Sequence, residues 1–311
     1  MVAGCGAPDN GGATRATAPD GWREKLTVTD ADYQAPRAGV LPAKGVTDVG
    51  GVALPPGHLV KVDRSKVASP AKSPRGPVAW VSDAPVAGIG SLWQKLAAQF
   101  PETGLWPLAL ESSPSDPGGW WDGDLDPTMS RQPGELGGVD VESTLAVWWA
   151  EAMPPAADLE DDAFAAAVDH TLAPFGPAFP GLAPAPARVD RARTTTVALA
   201  GGHLALVAVE RPADAPSVLG WTAPINYYND VGPLTVVLRS WERRYGAVVV
   251  GLGSDTLTLV ARRPPRTERD ALALAAEHFA ACPDQVLQGS QTIANYASML
   301  RGREAWRFWW D

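Results

Sequence analysis

Between positions 89 and 100 the apolar residues fall at 89, 92, 93, 96 and 100, the spacing of one helical face. The same spacing returns at Leu234, Val237, Leu238, Trp241 and Tyr245. Pro233 suits the first turn of that helix, where an N–H needs no partner, and Gly246 suits its end. Thr267 with Asp270 approximates a capping box for a helix that turns Leu272, Ala275, Ala276 and Phe279 inward and stops at Cys282-Pro283. Asp140 and Asp158 each open a shorter helix. The first buries Val141, Leu145 and Trp148, and the second buries Phe164, Val168 and Leu172. Another helix is expected over 292–300. β-prone runs bounded by turn residues predict strands at 58–62, 78–81, 105–110, 194–200, 203–210, 247–252, 256–261 and 305–310. Gly201-Gly202 and Gly253-Ser254-Asp255 each read as the turn of a hairpin. Pro107 argues for an edge or early place for its strand. Helices and strands mix without a βαβ rhythm, so the expected class is α+β, mixed sheets packed with helices.

The pattern also divides the chain. From position 1 to 21 the only large aliphatic residue is Val2. Such a stretch cannot offset its ordering entropy by burial, and residues 1–50 are expected to form a flexible tail. Residues 51–172 form an expected N-terminal α+β half. Residues 173–187 hold five prolines and read as a linker. Residues 188–311 form an expected C-terminal α+β domain, giving two halves joined near 180. Val2-Ala3-Gly4-Cys5 resembles a lipobox, the site at which a bacterial lipoprotein is cleaved and lipidated. Only four residues precede Cys5, too few for an export signal. The chain as written is expected in the cytoplasm. A start farther upstream would make it lipid-anchored through Cys5.

Composition narrows the classes. The chain has 311 residues, 45% apolar, with 13 Trp and a formal net charge of −9. That supplies a large core and excludes disorder throughout. No apolar run reaches the ~18 residues of a spanning helix, so no transmembrane segment is expected. Acidic residues number 35 against 26 basic ones, with no basic stretch, which argues against a nucleic-acid partner. Two cysteines, at 5 and 282, are no disulfide scaffold.

Candidate chemistry is sparse. His278 and Cys282 stand four apart on one helix face, which suits a Cys–His pair or half a metal site. But Cys282 lies at the negative end of the helix dipole, the reverse of what activates a thiol, and no further Cys or His completes a zinc set. Asp122-x-Asp124-x-Asp126 begins like a calcium loop. Pro127 and Pro133 stand where such a loop needs Gly and a bidentate Glu. No metal and no cofactor is expected. His58, His170 and His203 read as isolated. Residues 221–230, Trp-Thr-Ala-Pro-Ile-Asn-Tyr-Tyr-Asn-Asp, combine aromatic and amide side chains as recognition surfaces do. Trp221, Asn226, Tyr227, Tyr228 and Asn229 are therefore the candidate binding residues. Asp255 and His278 are candidates for the same surface.

Several motifs of the C-terminal region resemble one bacterial family, domain of unknown function 4253. They are Trp221-Thr-Ala-Pro-Ile-Asn226, Val237-Leu-Arg-Ser-Trp-Glu-Arg-Arg-Tyr-Gly246, Gly253-Ser-Asp-Thr-Leu-Thr258, Glu277-His-Phe-Ala-Ala-Cys-Pro-Asp284 and Phe308-Trp-Trp-Asp311. The resemblance covers about residues 218–311. Trp80-Val-Ser82 and Thr103-Gly-Leu-Trp-Pro-Leu108 resemble the companion half of longer members. The resemblance implies a fold and a bacterial, actinobacterial origin, and no activity. The expected role is a non-catalytic interaction module that recognises a protein partner, toxin-neutralising or regulatory by analogy. One alternative is a hydrolase-like small-molecule enzyme with a cleft between the halves near Asp255 and His278. Another is a membrane-tethered lipoprotein binder. The oligomeric state does not follow from the sequence.

Overall fold

The computed structural model describes residues 23–28, 33–111, 119–155, 157–187, 193–198 and 202–311. The lipobox-like motif at Cys5 lies outside them. In chain order the elements are β1 (Arg23–Val28), β2 (Asp48–Val49), β3 (Val52–Ala53), β4 (Gly57–Val60), β5 (Ala79–Ser82), α1 (Ile89–Thr103), β6 (Leu105–Leu110), α2 (Val141–Glu151), α3 (Asp162–Leu172), β7 (Arg193–Ala198), β8 (His203–Ala208), α4 (Ala215–Leu219), α5 (Gly232–Tyr245), β9 (Ala247–Leu252), β10 (Thr256–Ala261), α6 (Glu268–Ala281), α7 (Ile293–Leu300) and β11 (Ala305–Trp309). The class is α+β. A seven-stranded mixed sheet runs β11-β10-β9-β6-β8-β5-β4. No helix among the described residues is long and apolar enough to cross a membrane.

The C-terminal elements form where their local signals put them. Leu234, Val237, Leu238, Trp241 and Tyr245 of α5 are all buried. Gly246 ends the helix at φ 58°, a left-handed conformation that glycine adopts without strain, and its N–H donates to Glu242 O. Thr267 Oγ1 caps α6 by accepting from Asp270 N at 3.1 Å. β9 and β10 pair as a hairpin, and β11 pairs antiparallel with β10. Trp306, Phe308 and Trp310 are each no more than 3% exposed, and Trp306 and Phe308 meet Trp241 and Tyr245 of α5.

Long-range pairing departs from the expectations. β6 is central in the sheet, not an edge. It pairs antiparallel with β8 and, at Ala109 and Leu110, parallel with β9. Extending that parallel register places Val249 beside Pro107, which has no N–H to offer. The Trp106 indole N–H supplies the donor instead, reaching Val249 O at 2.8 Å, and the Trp93 indole N–H takes Pro107 O at 2.8 Å. Pro is thus tolerated inside a sheet because side chains complete the ladder. β7 and β8 do not form a hairpin. β7 pairs antiparallel with β1, while β8 runs between β5 and β6.

Two boundaries are corrected by the same pairing. Within residues 1–50, expected as a tail, Leu26, Val28, Tyr33 and Ala35 are buried, and Tyr33 packs edge-on against Trp106 at 5.2 Å. A local pattern too sparse to fold alone is built in by a partner strand. The two halves share one sheet, because β8 from beyond the expected linker inserts between β5 and β6. The linker itself is a strap. Trp149 Nε1 donates to Pro177 O at 3.0 Å, Phe175 and Phe179 pack on the Trp149 ring, and Ala183 is 3% exposed. In α3 the cap is Asp161, accepting from Phe164 N, and Phe164 is 43% exposed instead of buried.

Removal of residues 1–35 takes Leu26, Val28 and Tyr33 from the core, each contributing about 1.5–3 kcal/mol by burial. The melting temperature of the shortened chain is expected to fall by at least about 5 °C. A calorimetric melt that stays within a degree of full length would show β1 to be dispensable.

Candidate functional site

The loop over residues 221–230 is anchored from beneath. Trp221 is 1% exposed. Its indole N–H donates to Gly253 O at 2.8 Å, and its ring meets Trp310 edge-on. Tyr228 is buried, stacked on Trp148 of α2 at 4.0 Å, and its hydroxyl donates to Ala280 O at 2.7 Å. That carbonyl lies in the last turn of α6, where helix carbonyls need outside donors. Tyr227 is half-buried and donates to Asp284 Oδ1. Burial, then that carboxylate, raise the Tyr227 hydroxyl above its ordinary pKa. Asp230 closes the loop. Its Oδ1 accepts from Arg131 N at 3.0 Å and Gly232 N at 2.9 Å, and its Oδ2 pairs with Arg131 Nε. Asn226 and Asn229 are exposed. Of the five expected recognition residues in this loop, Trp221 and Tyr228 are therefore anchors. Their polar tips find carbonyls inside, so the rings bury without leaving a donor unpaired.

Asn229 and Asp230 also wall a cleft of about 660 Å3, whose other sides are Lys72, Thr128, Met129 and Arg131. The 127–135 wall is fixed by its own caps. Asp126 Oδ1 accepts from Thr128 N at 2.9 Å, and its Oδ2 accepts from Ala68 N at 2.7 Å. Gln132 N donates to Glu135 Oε2 at 2.7 Å. Asp126 thus spends its carboxylate on protein donors. No cluster of His, Cys, Asp and Glu fit to hold a metal occurs among the described residues.

His278 and Cys282 lie elsewhere. His278 is fully buried, ringed by Trp241, Tyr296, Trp306 and Phe308, with Nδ1 at 3.0 Å from Tyr296 Oη. Its Nε2 has no hydrogen-bond partner among the described residues. Burial, then the Arg244 charge, hold the imidazole well below the ordinary histidine range. Cys282 is also fully buried, with Sγ donating to Trp309 O, and burial pushes its thiol up to about 12. Asp255 is exposed in the β9–β10 turn, where its carbonyl accepts from Trp310 N. His278 is enclosed while Asp255 faces solvent, so the two share no surface.

A second group of side chains, including Glu111 and Arg307 that the sequence did not single out, meets at the carboxyl ends of β5, β6 and β9. Glu111, just past β6, takes both arms of the Arg307 guanidinium, each at 2.7 Å. The Trp120 indole N–H donates to Glu111 O at 3.0 Å. His203 Nδ1 lies 2.9 Å from Ser82 O, and its ring packs on Trp121. His58 is not isolated. Its Nδ1 is 2.7 Å from Asp83 Oδ1 and its Nε2 is 3.9 Å from Asp122 Oδ1. The bidentate pair engages both Glu111 oxygens with the Arg307 guanidinium. Residues 111 and 307 stand far apart in sequence, and no local pattern links them.

Residues 203–311 match the family model described as Domain of unknown function (DUF4253). The match starts at the first residue of β8, earlier than position 218, and takes in the 221–230 loop, His278, Cys282 and Arg307. Lys72, Glu111 and Arg131 lie outside it. No curated protein and no solved structure gives a significant match.

Two outcomes follow from the buried groups. Cys282 is expected to resist a thiol reagent until the protein is unfolded, and labelling of the native chain at neutral pH within minutes would contradict its burial. His278 sets a pH dependence. Its folded pKa is depressed, so below about 6.5 the unfolded chain binds a proton that the folded chain does not. Its contribution is fully present above about 6.5 and is lost at about 1.4 kcal/mol per pH unit below it. Urea unfolding at a series of pH values between 7 and 5 should give a shallower slope for His278→Gln than for the parent. Equal slopes would mean that His278 binds its proton as readily in the fold as in the unfolded chain.

Proposed function

We propose that the protein is a non-catalytic binding module that recognises a protein partner through the surface around Asn226 and Asn229. The observation that supports this reading is the construction of the 221–230 loop. Trp221, Tyr227 and Tyr228 are tied to Gly253, Asp284 and Ala280, and Asp230 to Arg131 and Gly232, while the two amides face solvent. A loop held in one conformation loses little entropy on association. Asn offers both a donor and an acceptor, which suits the polar groups of a protein surface. The cleft beside Asn229, with Lys72 and Arg131 on its walls, gives the partner a concave seat. The nucleophile and base candidates weigh less as an alternative. Cys282 and His278 are enclosed, and Glu111 is paired with Arg307.

The test is Asn226→Ala with Asn229→Ala in one chain. Exposed substitutions of this kind change stability by no more than about 0.5 kcal/mol, so the melt is expected to stay near normal. Quantitative capture from a bacterial lysate, with the bound protein identified by mass spectrometry and confirmed by reciprocal capture, is expected to fall at least about tenfold. Undiminished capture would put the recognition surface elsewhere. A parent chain that retains no reproducible partner would defeat the binding reading.

A further inference from the structure

From 132 to 187 the chain carries nine acidic residues and no lysine or arginine. The structure folds this stretch around an apolar groove. A hollow of about 330 Å3 opens between the end of α2, one face of α3, the last turn of α6 and the turn over Gln285–Ser290. Phe279 and Leu172 form its floor and are buried. Phe164 and Leu287 form its lips and are 43% and 47% exposed. Met153 and Val168 complete the apolar wall. Single exposed apolar residues are ordinary, but here they converge on one concave surface.

The charge around the groove selects its occupant. Glu151 directly precedes the wall at the end of α2, and Asp158, Glu160 and Asp161 directly precede α3, all exposed. Asp162 and Asp169 project from the outer face of α3 and add to the same field. His170 is the one residue of this stretch that can gain positive charge. Arg301 lines the neighbouring hollow, as does Glu268. An anionic membrane is repelled by such a rim. A second copy docking through the same face would bring two sets of carboxylates together. A segment whose apolar side chains recur at one-turn spacing and whose other face carries lysine or arginine satisfies both the groove and its rim.

We propose that this groove receives an amphipathic, basic helical segment of a partner protein. Its apolar face seats on Phe164, Val168 and Leu287, and its cations face the carboxylates of residues 151–162. The groove shares no lining residue with the cleft at Asn229, so the inference stands apart from the reading given for that surface.

The probe is a fluorescein-labelled synthetic helix of about 16 residues, with leucine at one-turn spacing and lysine on the other face. Its controls are a twin with glutamate for lysine and a scrambled peptide of the same composition. Fluorescence anisotropy with the full chain is expected to show the lysine helix binding at least about tenfold more tightly than either control. Raising salt from about 50 to about 500 mM should weaken binding severalfold. Phe164→Ser with Leu287→Ser should cost at least about tenfold, with the melt recorded as the folding control. Glu151→Lys with Asp158→Lys leaves the apolar lining untouched and should weaken binding as well. Asn226→Ala with Asn229→Ala should leave it unchanged. Equal binding of the scrambled peptide, indifference to both groove variants, or no binding at low salt would overturn the proposal. Self-association abolished by the serine pair would put a second copy in the groove instead. Binding to anionic vesicles lost in the same variant would put a membrane there.

Discussion

Glu277 is a fully buried carboxylate, and the packing of the C-terminal region depends on its being satisfied. A buried charge left unpaired costs several kcal/mol, so its donors are fixed by necessity. Oε1 accepts from Ala183 N at 2.7 Å and from Arg244 Nη1 at 2.7 Å. Oε2 accepts from Trp241 Nε1 at 2.9 Å and from Arg244 Nη2. Four donors thus tie α6 to α5 and to the strap over residues 173–187. Arg244 also donates to Ala183 O, and the Tyr245 hydroxyl to Pro184 O. With α6 held in this way, His278 falls among the rings of β11, Phe279 meets Trp149, and Cys282 reaches Trp309.

The indoles repeat this logic along the fold. Trp106, Trp120, Trp149 and Trp221 each bury a large ring and donate to a backbone carbonyl, and several of these carbonyls lie where a regular ladder stops. The tryptophan content therefore does more than fill volume. It satisfies acceptors around a proline-rich chain whose missing N–H groups would otherwise leave carbonyls unpaired.

Both proposed surfaces inherit their shape from these anchors. The amides at Asn226 and Asn229 stand on a loop whose underside is bonded to the core. The groove at Phe164 and Leu287 has Phe279 of the pinned helix as its floor. The two differ in chemistry: exposed amides at the first, apolar side chains near exposed carboxylates at the second.

Local structure was legible in the sequence wherever its cause was local. The face of α5, its stop at Gly246, the Thr267 cap of α6, the β9–β10 hairpin and the inward side of β11 all follow from periodicity, capping and turn chemistry within a few residues. Those signals do not name partners. The place of β6 at the centre of the sheet rests on indole donors that stand in for Pro107. The pairing of β7 with β1 joins segments about 170 residues apart. The aromatic and amide composition of residues 221–230 marked the loop, while the division into anchors and exposed amides was decided by whether a carbonyl lay within reach of each polar tip. Tyr228 found Ala280 O, Trp221 found Gly253 O, and Asn226 and Asn229 remained outside. The sequence by itself determined the elements with strong local signals, such as α5, α6, β9 and β10, and the apolar faces of α5 and β11, because those depend on neighbours in the chain. Tertiary structure alone decided strand order, the burial of Glu277 and the meeting of Glu111 with Arg307, because each requires a partner brought from far along the chain.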